Sequence, residues 1–312
     1  MSAMIEINNL RKRFRNTNAV DGLTLTVPSG SVTAFLGPNG AGKTTTIKCL
    51  LNLHRPDGGS AKVLGTESTR LGPKEFQRVG YVSENQELPE WMTVEQFFDY
   101  CRPMYPTWDR DFERKMMKEF DLPPKTVLKS LSRGMKMKAS LLSSLAYRPQ
   151  LVVLDEPFSG LDPLVRDEFI HGLLELTEQE GWTVFVSSHD IEEVERLTDR
   201  VAIIHKGRLQ LDESHESLQS RFRRVELNLG DEAAPPLAKP ADWIDLQADG
   251  RLVRFVHARF RPEDLDAEIE KAYGKAQSRT QTMTLREIFV ALARKYRLDG
   301  DATETKGETE EG

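Results

Sequence analysis

The sequence contains little cysteine, no long apolar run and no excess of basic charge. Its two cysteines, Cys49 and Cys101, are too few for a disulfide scaffold and are interpreted as free thiols of a reducing compartment. The apolar runs fall far short of the roughly 18 residues that a membrane span requires, so the spans of any membrane assembly must come from another chain. Because residues 1–9 lack a basic segment followed by an apolar core, we expect no signal peptide and a cytoplasmic location.

The composition is that of a soluble, folded protein of about two domains. Hydrophobic residues make up 38% of the 312 residues and charged residues 29%, which argues against a disordered chain. The 49 acidic residues outnumber the 43 Lys and Arg residues, and the net charge is −6. Proteins that bind DNA or RNA are more often basic, so this charge disfavours a nucleic-acid partner.

Strands and helices are predicted to alternate through the first two thirds of the chain. The apolar, β-prone segments Val32–Leu36, Leu151–Leu154 and Val184–Ser187 are typical of buried strands, and Lys43–Leu53 is typical of a helix. This alternation predicts an α/β domain with a largely parallel sheet. Further predicted elements are strands at Ile5–Ile7 and Leu23–Val27, a helical region from Thr93 to about Tyr147, and a hairpin of Val201–Ile204 with Arg208–Leu211.

The composition changes after about Ser220. A loop is predicted at Ala233–Pro236, a strand at Leu252–Val256, and helices at Asp264–Tyr273 and Leu285–Tyr296. The predicted domains are an α/β domain at 1–220, a small α+β domain at 221–298 and a disordered acidic tail at 299–312.

A phosphate-loop motif follows the strand Val32–Leu36. Residues Gly37–Thr44 satisfy the pattern G-x-x-x-x-G-K-[ST] between a strand and a helix, the context that this motif needs. Its glycines let backbone N–H groups and the helix N-terminus approach phosphate oxygens. Lys43 would reach the β- and γ-phosphates, and the Thr44 hydroxyl would ligate Mg²⁺. The predicted nucleotide contacts of this segment are Asn39, Gly40, Ala41, Gly42, Lys43, Thr44 and Thr45.

Acidic and histidine side chains follow two later strands. The strand Leu151–Leu154 ends in Asp155 and Glu156, and we expect Asp155 to hold Mg²⁺ and Glu156 to polarise the attacking water. His189 follows the next strand and is interpreted as a γ-phosphate contact.

A weaker signal lies at Leu131–Met135. Ser132 and Gly134 are typical of a helix cap, and a serine hydroxyl and a backbone N–H at a helix N-terminus also suit a phosphate.

Taken in order, these motifs resemble the ATP-binding subunits of ABC transporters over roughly residues 4–220. The matches are Walker A at Gly37–Thr44, the signature at Leu131–Met135, Walker B at Leu151–Glu156, the D-loop at Ser159–Asp162 and the switch histidine at His189. The segment Tyr105–Asp109 and the C-terminal extension resemble the ABC-2-type exporter branch, which includes Ytr-like and bacitracin-resistance-like subunits. The resemblance implies a P-loop NTPase fold, with a RecA-like core, a helical subdomain at about 86–147 and the small α+β domain.

The resemblance also implies a mechanism that uses ATP and Mg²⁺. Two such domains would meet head to tail around two ATP molecules, so that Ser132 and Gly134 reach the γ-phosphate in the other subunit. Glu156 would be the catalytic base, His189 would hold the γ-phosphate and the water, and Asp162 would link the two sites.

Phe14 and Glu84 occupy two further positions of the family pattern. Phe14 lies where the family stacks an aromatic ring on adenine, although an ordinary core aromatic is the alternative. Glu84 occupies the Q-loop position, where a glutamine contacts nucleotide and Mg²⁺, unless Gln86 takes that role. The signature also departs from the pattern, because Arg133 replaces its first glycine and Met135 its glutamine.

The sequence therefore predicts an ATP-hydrolysing subunit of an ABC transporter, and the resemblance implies that it works with an ABC-2-type permease on the inner face of the membrane. ATP binding would close the dimer and hydrolysis would open it. A homodimer and a heterodimer with a related subunit both remain open, and the transported substrate is not predicted. The alternatives are a soluble ABC ATPase that acts on ribosomes or nucleic acid, and a module that binds ATP without hydrolysis.

Overall fold

The computed structural model describes residues 2–189, 191–230 and 240–295, and it divides into two compact units, Met1–Asp212 and Glu213–Gly312. The boundary between the units precedes the predicted boundary at residue 220. The predicted loop at Ala233–Pro236 and the predicted tail at 299–312 lie outside the described residues.

The first unit combines a small antiparallel sheet with a larger, mostly parallel one. Its strands are β1 (Ala3–Phe14), β2 (Thr17–Pro28), β3 (Val32–Leu36), β4 (Gly58–Val63), β5 (Thr66–Glu67), β6 (Val79–Ser83), β7 (Leu151–Asp155), β8 (Thr183–Ser188), β9 (Arg200–His205) and β10 (Arg208–Ser214), which runs two residues past the unit. Its helices are α1 (Lys43–Leu50), α2 (Pro73–Phe76), α3 (Val94–Cys101), α4 (Arg110–Glu119), α5 (Arg133–Leu145) and α6 (Pro163–Glu180).

The larger sheet has the order β10-β9-β3-β8-β7-β6, and β3, β6, β7, β8 and β9 pair in parallel. Every residue of β3, β7 and β8 is buried, as expected for central strands that are covered on both faces. The smaller sheet has the order β2-β1-β4-β5, and one apolar cluster joins it to α1 and to the larger sheet. The predicted α/β class with a largely parallel sheet is confirmed.

Helix α1 is shorter than the predicted Lys43–Leu53. Asn52 has a φ of 58°, the left-handed conformation that often ends a helix, and the N–H of Leu53 donates to the carbonyl of Lys48 at 2.8 Å. The helix therefore stops at Leu50, although apolar residues continue beyond it.

The predicted helical region from Thr93 to about Tyr147 is divided into α3, α4 and α5. Each helix begins at a polar cap, because the side chains of Thr93, Asp109 and Ser132 accept hydrogen bonds from backbone N–H groups of the first turn. Pro123 and Pro124 lie between α4 and α5, where they cannot donate to a helical hydrogen bond.

The second unit contains an antiparallel sheet and helices. Its elements are α7 (His215–Arg221), β11 (Arg223–Asn228), β12 (Trp243–Asp249), β13 (Leu252–His257), α8 (Pro262–Tyr273), β14 (Gln277–Thr282) and a helical stretch over 285–295. The sheet has the order β12-β13-β11-β14, and its core includes Trp243, whose ring stacks on Phe255 with the centroids 3.9 Å apart. Across the described part of the chain, no helix combines the length and the apolar character that crossing a bilayer requires.

Both cysteines are expected to be unreactive in the folded protein. Cys49 and Cys101 are free, and burial raises the pKa of each thiol to about 11. Only about 10⁻³ of a thiol with that pKa is ionised at pH 8, and the thiolate is the reactive form. A colorimetric thiol assay should detect almost no reaction in buffer and two thiols per chain in denaturant. Rapid labelling of either cysteine in buffer would contradict this burial.

Candidate nucleotide site

The register of the parallel strands brings several loops together at one edge of the sheet. Asp155 at the end of β7 lies between Ser83 of β6 and Ser187 of β8, and Leu36 of β3 pairs with Ser188. The carboxyl ends of four strands are therefore level, and open α/β sheets bind ligands at this edge. The residues that follow these strands are Gly37, Glu84, Glu156 and His189.

The loop between β3 and α1 requires glycine at two positions. A Cβ atom on Gly37 would lie 2.3 Å from the carbonyl oxygen of Ile204, and one on Gly42 would lie 2.2 Å from that of Ala19. Gly42 also has a φ of 106°, which disfavours any residue with a side chain, and it directly precedes α1. The loop thus leads its backbone, including Asn39, Gly40 and Ala41, into the N-terminus of a helix, an arrangement that suits an anion.

Lys43 is the buried cation of the site. Its ammonium group donates to the carbonyl oxygens of Gly37, at 2.6 Å, and Pro38, at 3.2 Å, and lies 3.1 Å from Glu156 Oε1. The loop and the end of β7 therefore hold the ammonium group between them. Thr44 and Thr45 complete the first turn of the helix.

The oxygen atoms of Thr44 and Asp155 lie side by side. The hydroxyl of Thr44 donates to Asp155 Oδ1 at 3.1 Å, and the hydroxyl of Ser187 donates to the same oxygen at 2.7 Å. Hydroxyl and carboxylate oxygens are the donors that Mg²⁺ prefers, so this pair fits the ion. Asp155 is almost fully buried, and burial raises its pKa above the ordinary value of 3.8.

Replacing Asp155 by asparagine is expected to stabilise the protein in the absence of nucleotide. An amide oxygen can accept both hydrogen bonds, whereas the buried negative charge and its repulsion from Glu156 disappear. The pKa of Asp155 is raised on folding, so the folded state binds more protons than the unfolded state at the same pH. The free energy of unfolding of the wild type therefore falls as pH rises through the window above 3.8. The excess melting temperature of the variant should therefore grow between pH 4 and pH 7, as measured by thermal unfolding. A variant less stable than wild type at pH 7 would mean that the charge itself stabilises the fold.

Glu156 and His189 form a hydrogen-bonded pair. His189 Nδ1 lies 2.8 Å from Glu156 Oε2, and the backbone N–H of Glu156 donates to Ser187 at both its carbonyl and its hydroxyl oxygen. Glu156 has a φ of 54°, so the chain turns sharply after β7 and the carboxylate faces Lys43. His189 is 40% exposed, which leaves the imidazole accessible from solvent.

Glu84 points towards the signature segment. Its backbone N–H donates to the carbonyl of Asp155 at 2.9 Å, but its side chain accepts from Arg133 and from Ser159, both at 2.7 Å. Among the described residues, no hydrogen bond joins the carboxylate of Glu84 to Thr44 or Asp155. The predicted contact between Glu84 and Mg²⁺ therefore stays a prediction.

Ser132, Gly134 and Asp162 form a group separate from the phosphate loop. Ser132 caps α5 by accepting from Met135 N–H at 3.2 Å, and Asp162 caps α6 by accepting from Leu164 N–H at 2.9 Å. Within the parts of the chain described, none of the three hydrogen-bonds to Lys43 or Thr44. The predicted contacts of Ser132, Gly134 and Asp162 with nucleotide therefore stay predictions.

Phe14 lies on the surface rather than in the core. Its side chain is 43% exposed, its edge meets His54 with the ring centroids 5.4 Å apart, and Lys12 Nζ lies 5.3 Å from the ring centre. The core interpretation is therefore wrong, and the exposed ring is available for stacking. The sequence motifs do not predict the contacts that Phe14 makes with Lys12 and His54. They also do not predict the hydrogen bonds of Ser187.

Parallel strands, a glycine loop with a buried lysine, and adjacent acidic groups define this unit as a P-loop nucleotide-binding domain. Comparison with known proteins narrows the class. The family model of ABC transporters matches residues 20–159. The chain is 35% identical over 233 residues to the daunorubicin/doxorubicin resistance ATP-binding protein DrrA of Streptomyces peucetius, which covers 72% of this chain and 70% of DrrA.

Two further comparisons agree. The bacitracin transport ATP-binding protein BcrA of Bacillus licheniformis is 31% identical, over 74% of this chain and 77% of BcrA. A solved ATP-binding subunit of an ABC transporter superposes with a TM-score of 0.63 and 27% identity, covering 70% of this chain and 92% of that structure. This chain belongs to the ABC transporter ATP-binding proteins. The predicted family and fold are confirmed, and the chain is an ATP-binding ATPase subunit of a transporter.

Proposed function

We propose that this chain is the ATPase of an ABC-2-type exporter, attached to the inner face of the cell membrane through a separate permease subunit. The observation that carries the proposal is the convergence of Lys43, the Thr44–Asp155 pair and the Glu156–His189 pair at one edge of the sheet. The relative DrrA is named as a resistance protein and the relative BcrA as a transport protein. Both are at least 30% identical to this chain. The transported substrate is left open by these names.

The residues at this edge of the sheet have separate roles in ATP binding and hydrolysis. Lys43 and the N-terminus of α1 bind phosphate oxygens through charge-assisted hydrogen bonds. Thr44 and Asp155 would hold Mg²⁺, which supplies positive charge to the phosphates when it is bound. Glu156 would accept a proton from the attacking water, and His189, whose Nδ1 lies 2.8 Å from Glu156 Oε2, would hold the γ-phosphate and that water.

The remaining predicted contacts belong to a head-to-tail dimer. Ser132 and Gly134 lie at the N-terminus of α5 and would approach the γ-phosphate held by a second chain. Asp162 would link the two sites, and Phe14 would stack on adenine. Because one chain carries every one of these residues, two copies would supply two competent sites.

Exposed apolar side chains near α3 suit a membrane partner. Trp91 is 75% exposed, Tyr100 is 56% exposed and Met104 is 48% exposed, whereas Phe97 and Phe98 of the same region are buried. Aromatic residues and methionine are enriched at protein–protein interfaces relative to the rest of the surface. We assign this surface, rather than the buried aromatics, to the permease.

The test is capture of partners by tagged Glu156→Gln protein from detergent-solubilised membranes of the host, with Mg-ATP. We expect a protein with several membrane spans in near-equal amounts, and much less of it with Lys43→Ala as bait. Co-purification of ribosomes or nucleic acid without a membrane protein would contradict the proposal and favour a soluble ABC ATPase. Export is tested separately, by comparing retention of candidate compounds in cells with and without the complex.

A further inference from the structure

Two departures from the family pattern, Glu84 and Arg133, contact each other. Arg133 Nη2 lies 2.7 Å from Glu84 Oε1, and Ser159 donates its hydroxyl to the same oxygen at 2.7 Å. Residues 49 positions apart in sequence are thus joined, one after β6 and one at the start of α5. The contact connects the Q-loop, the signature and the D-loop within one chain.

The position of the Arg133 side chain depends on Gly160. A Cβ atom on Gly160 would lie 2.4 Å from Arg133 Nη1 and 2.7 Å from Arg133 Cζ, so the guanidinium rests directly on the glycine backbone. Gly160 also has a φ of 66°, which favours glycine independently. The pair is only partly exposed, at 52% for Arg133 and 28% for Glu84. The side chains of Arg133 and Glu84 are therefore held in these positions by neighbouring residues of the chain.

The electrostatic setting explains why Glu84 needs a cation. Its backbone N–H donates to the carbonyl of Asp155, the last residue of β7, so the backbone of Glu84 lies next to the segment that carries the carboxylates of Asp155 and Glu156. A glutamine at this position would be neutral, whereas a glutamate adds a negative charge close to where a polyanionic triphosphate binds. Repulsion between like charges is screened less at partly buried sites than at fully exposed ones.

We propose that Arg133 is a positioning residue of the nucleotide site, which neutralises Glu84 and holds its carboxylate against Ser159 instead of in the Mg²⁺ contact that the family pattern predicts. This inference rests on the proposed function, because it places nucleotide beside Glu84. Arg133 and Glu84 act as a unit: the arginine is needed because the glutamate is present.

A double-mutant cycle tests this dependence. The dissociation constant of a fluorescent ATP analogue with Mg²⁺ is measured for wild type, Arg133→Ala, Glu84→Gln and the double variant. We expect Arg133→Ala to weaken binding about fivefold, which corresponds to about 1 kcal/mol, the upper end for a partly exposed ion pair. In the Glu84→Gln background, which has no carboxylate to neutralise, Arg133→Ala should change the dissociation constant less than about twofold. Arg133→Lys, which keeps the charge, should bind at least threefold more tightly than Arg133→Ala.

The controls separate this role from a purely structural one. Melting temperatures identify a variant that fails to fold, and the exposed pair Asp111 and Arg114 provides a second cycle in which we expect no change. If Arg133→Ala weakens binding equally in the wild-type and Glu84→Gln backgrounds, or in neither, the inference is overturned. A wild-type protein that binds no analogue would overturn the proposed function itself, a failure that is recognised without any variant.

Discussion

Replacing Glu156 by glutamine is expected to lower the ATP turnover number at least about 100-fold, because a general base contributes about 10²–10⁴ to the rate. The carboxylate lies 2.8 Å from His189 Nδ1 and 3.1 Å from Lys43 Nζ, so the histidine can orient it and the ammonium faces the same space. Glutamine keeps the shape of the side chain but accepts no proton. Nucleotide binding should stay within about threefold of wild type, since the neutral side chain no longer competes with phosphate for Lys43.

The same variant should accumulate as an ATP-bound dimer. Light scattering during gel filtration, with and without Mg-ATP, measures the dimer directly, and released phosphate measures turnover. The matched control is Glu119→Gln, which removes an exposed carboxylate that pairs with Lys115 at 3.5 Å. Turnover near the wild-type rate in Glu156→Gln would show that another group accepts the proton.

The sequence was sufficient to predict the phosphate loop because the motif is local. Gly37–Thr44 is contiguous, so its pattern is visible without knowledge of the packing, although the contacts that require Gly37 and Gly42 come from Ile204 and Ala19 elsewhere in the chain. The meeting of Asp155 with Thr44 was predictable for a different reason. Parallel strands end at one edge, so residues that follow successive strands converge there.

The contact between Glu84 and Arg133 could not be predicted from spacing. The position of Arg133 at the start of α5 depends on how the helical segment folds back on the core, and a separation of 49 positions from Glu84 carries no periodic signal for it. The sequence identified both residues only as departures from a pattern. Their pairing depends on side-chain geometry, including the space that Gly160 leaves open.

Element boundaries were predicted less well than element types. The end of α1 depends on the left-handed backbone of Asn52, while the apolar pattern continues to Leu53. In the helical segment, apolar spacing identified helices, but the breaks are set by the caps Asp109 and Ser132. Polar caps and single backbone conformations compete with hydrophobic periodicity, and at helix ends they prevail.

Replacing Lys43 by alanine is expected to weaken ATP binding at least about 100-fold. The ammonium group is nearly buried and would exchange its 2.6 Å bond to Gly37 and its contact with Glu156 for phosphate oxygens. Charge-assisted hydrogen bonds contribute about 1.5–3 kcal/mol each, and two such bonds account for a loss of this size. The dissociation constant is measured with a fluorescent ATP analogue, and turnover should fall to background.

A second variant separates binding from stability. Lys43→Ala leaves the carboxylate of Glu156, whose side chain is only 12% exposed, without its cation, so the melting temperature should fall. The double variant Lys43→Ala/Glu156→Gln removes that unpaired charge, and we expect its melting temperature to recover while binding stays lost. Lys48→Ala, at the other end of α1, controls for changes in the helix. Recovery of binding in the double variant would mean that Lys43 serves to neutralise Glu156 rather than to bind phosphate.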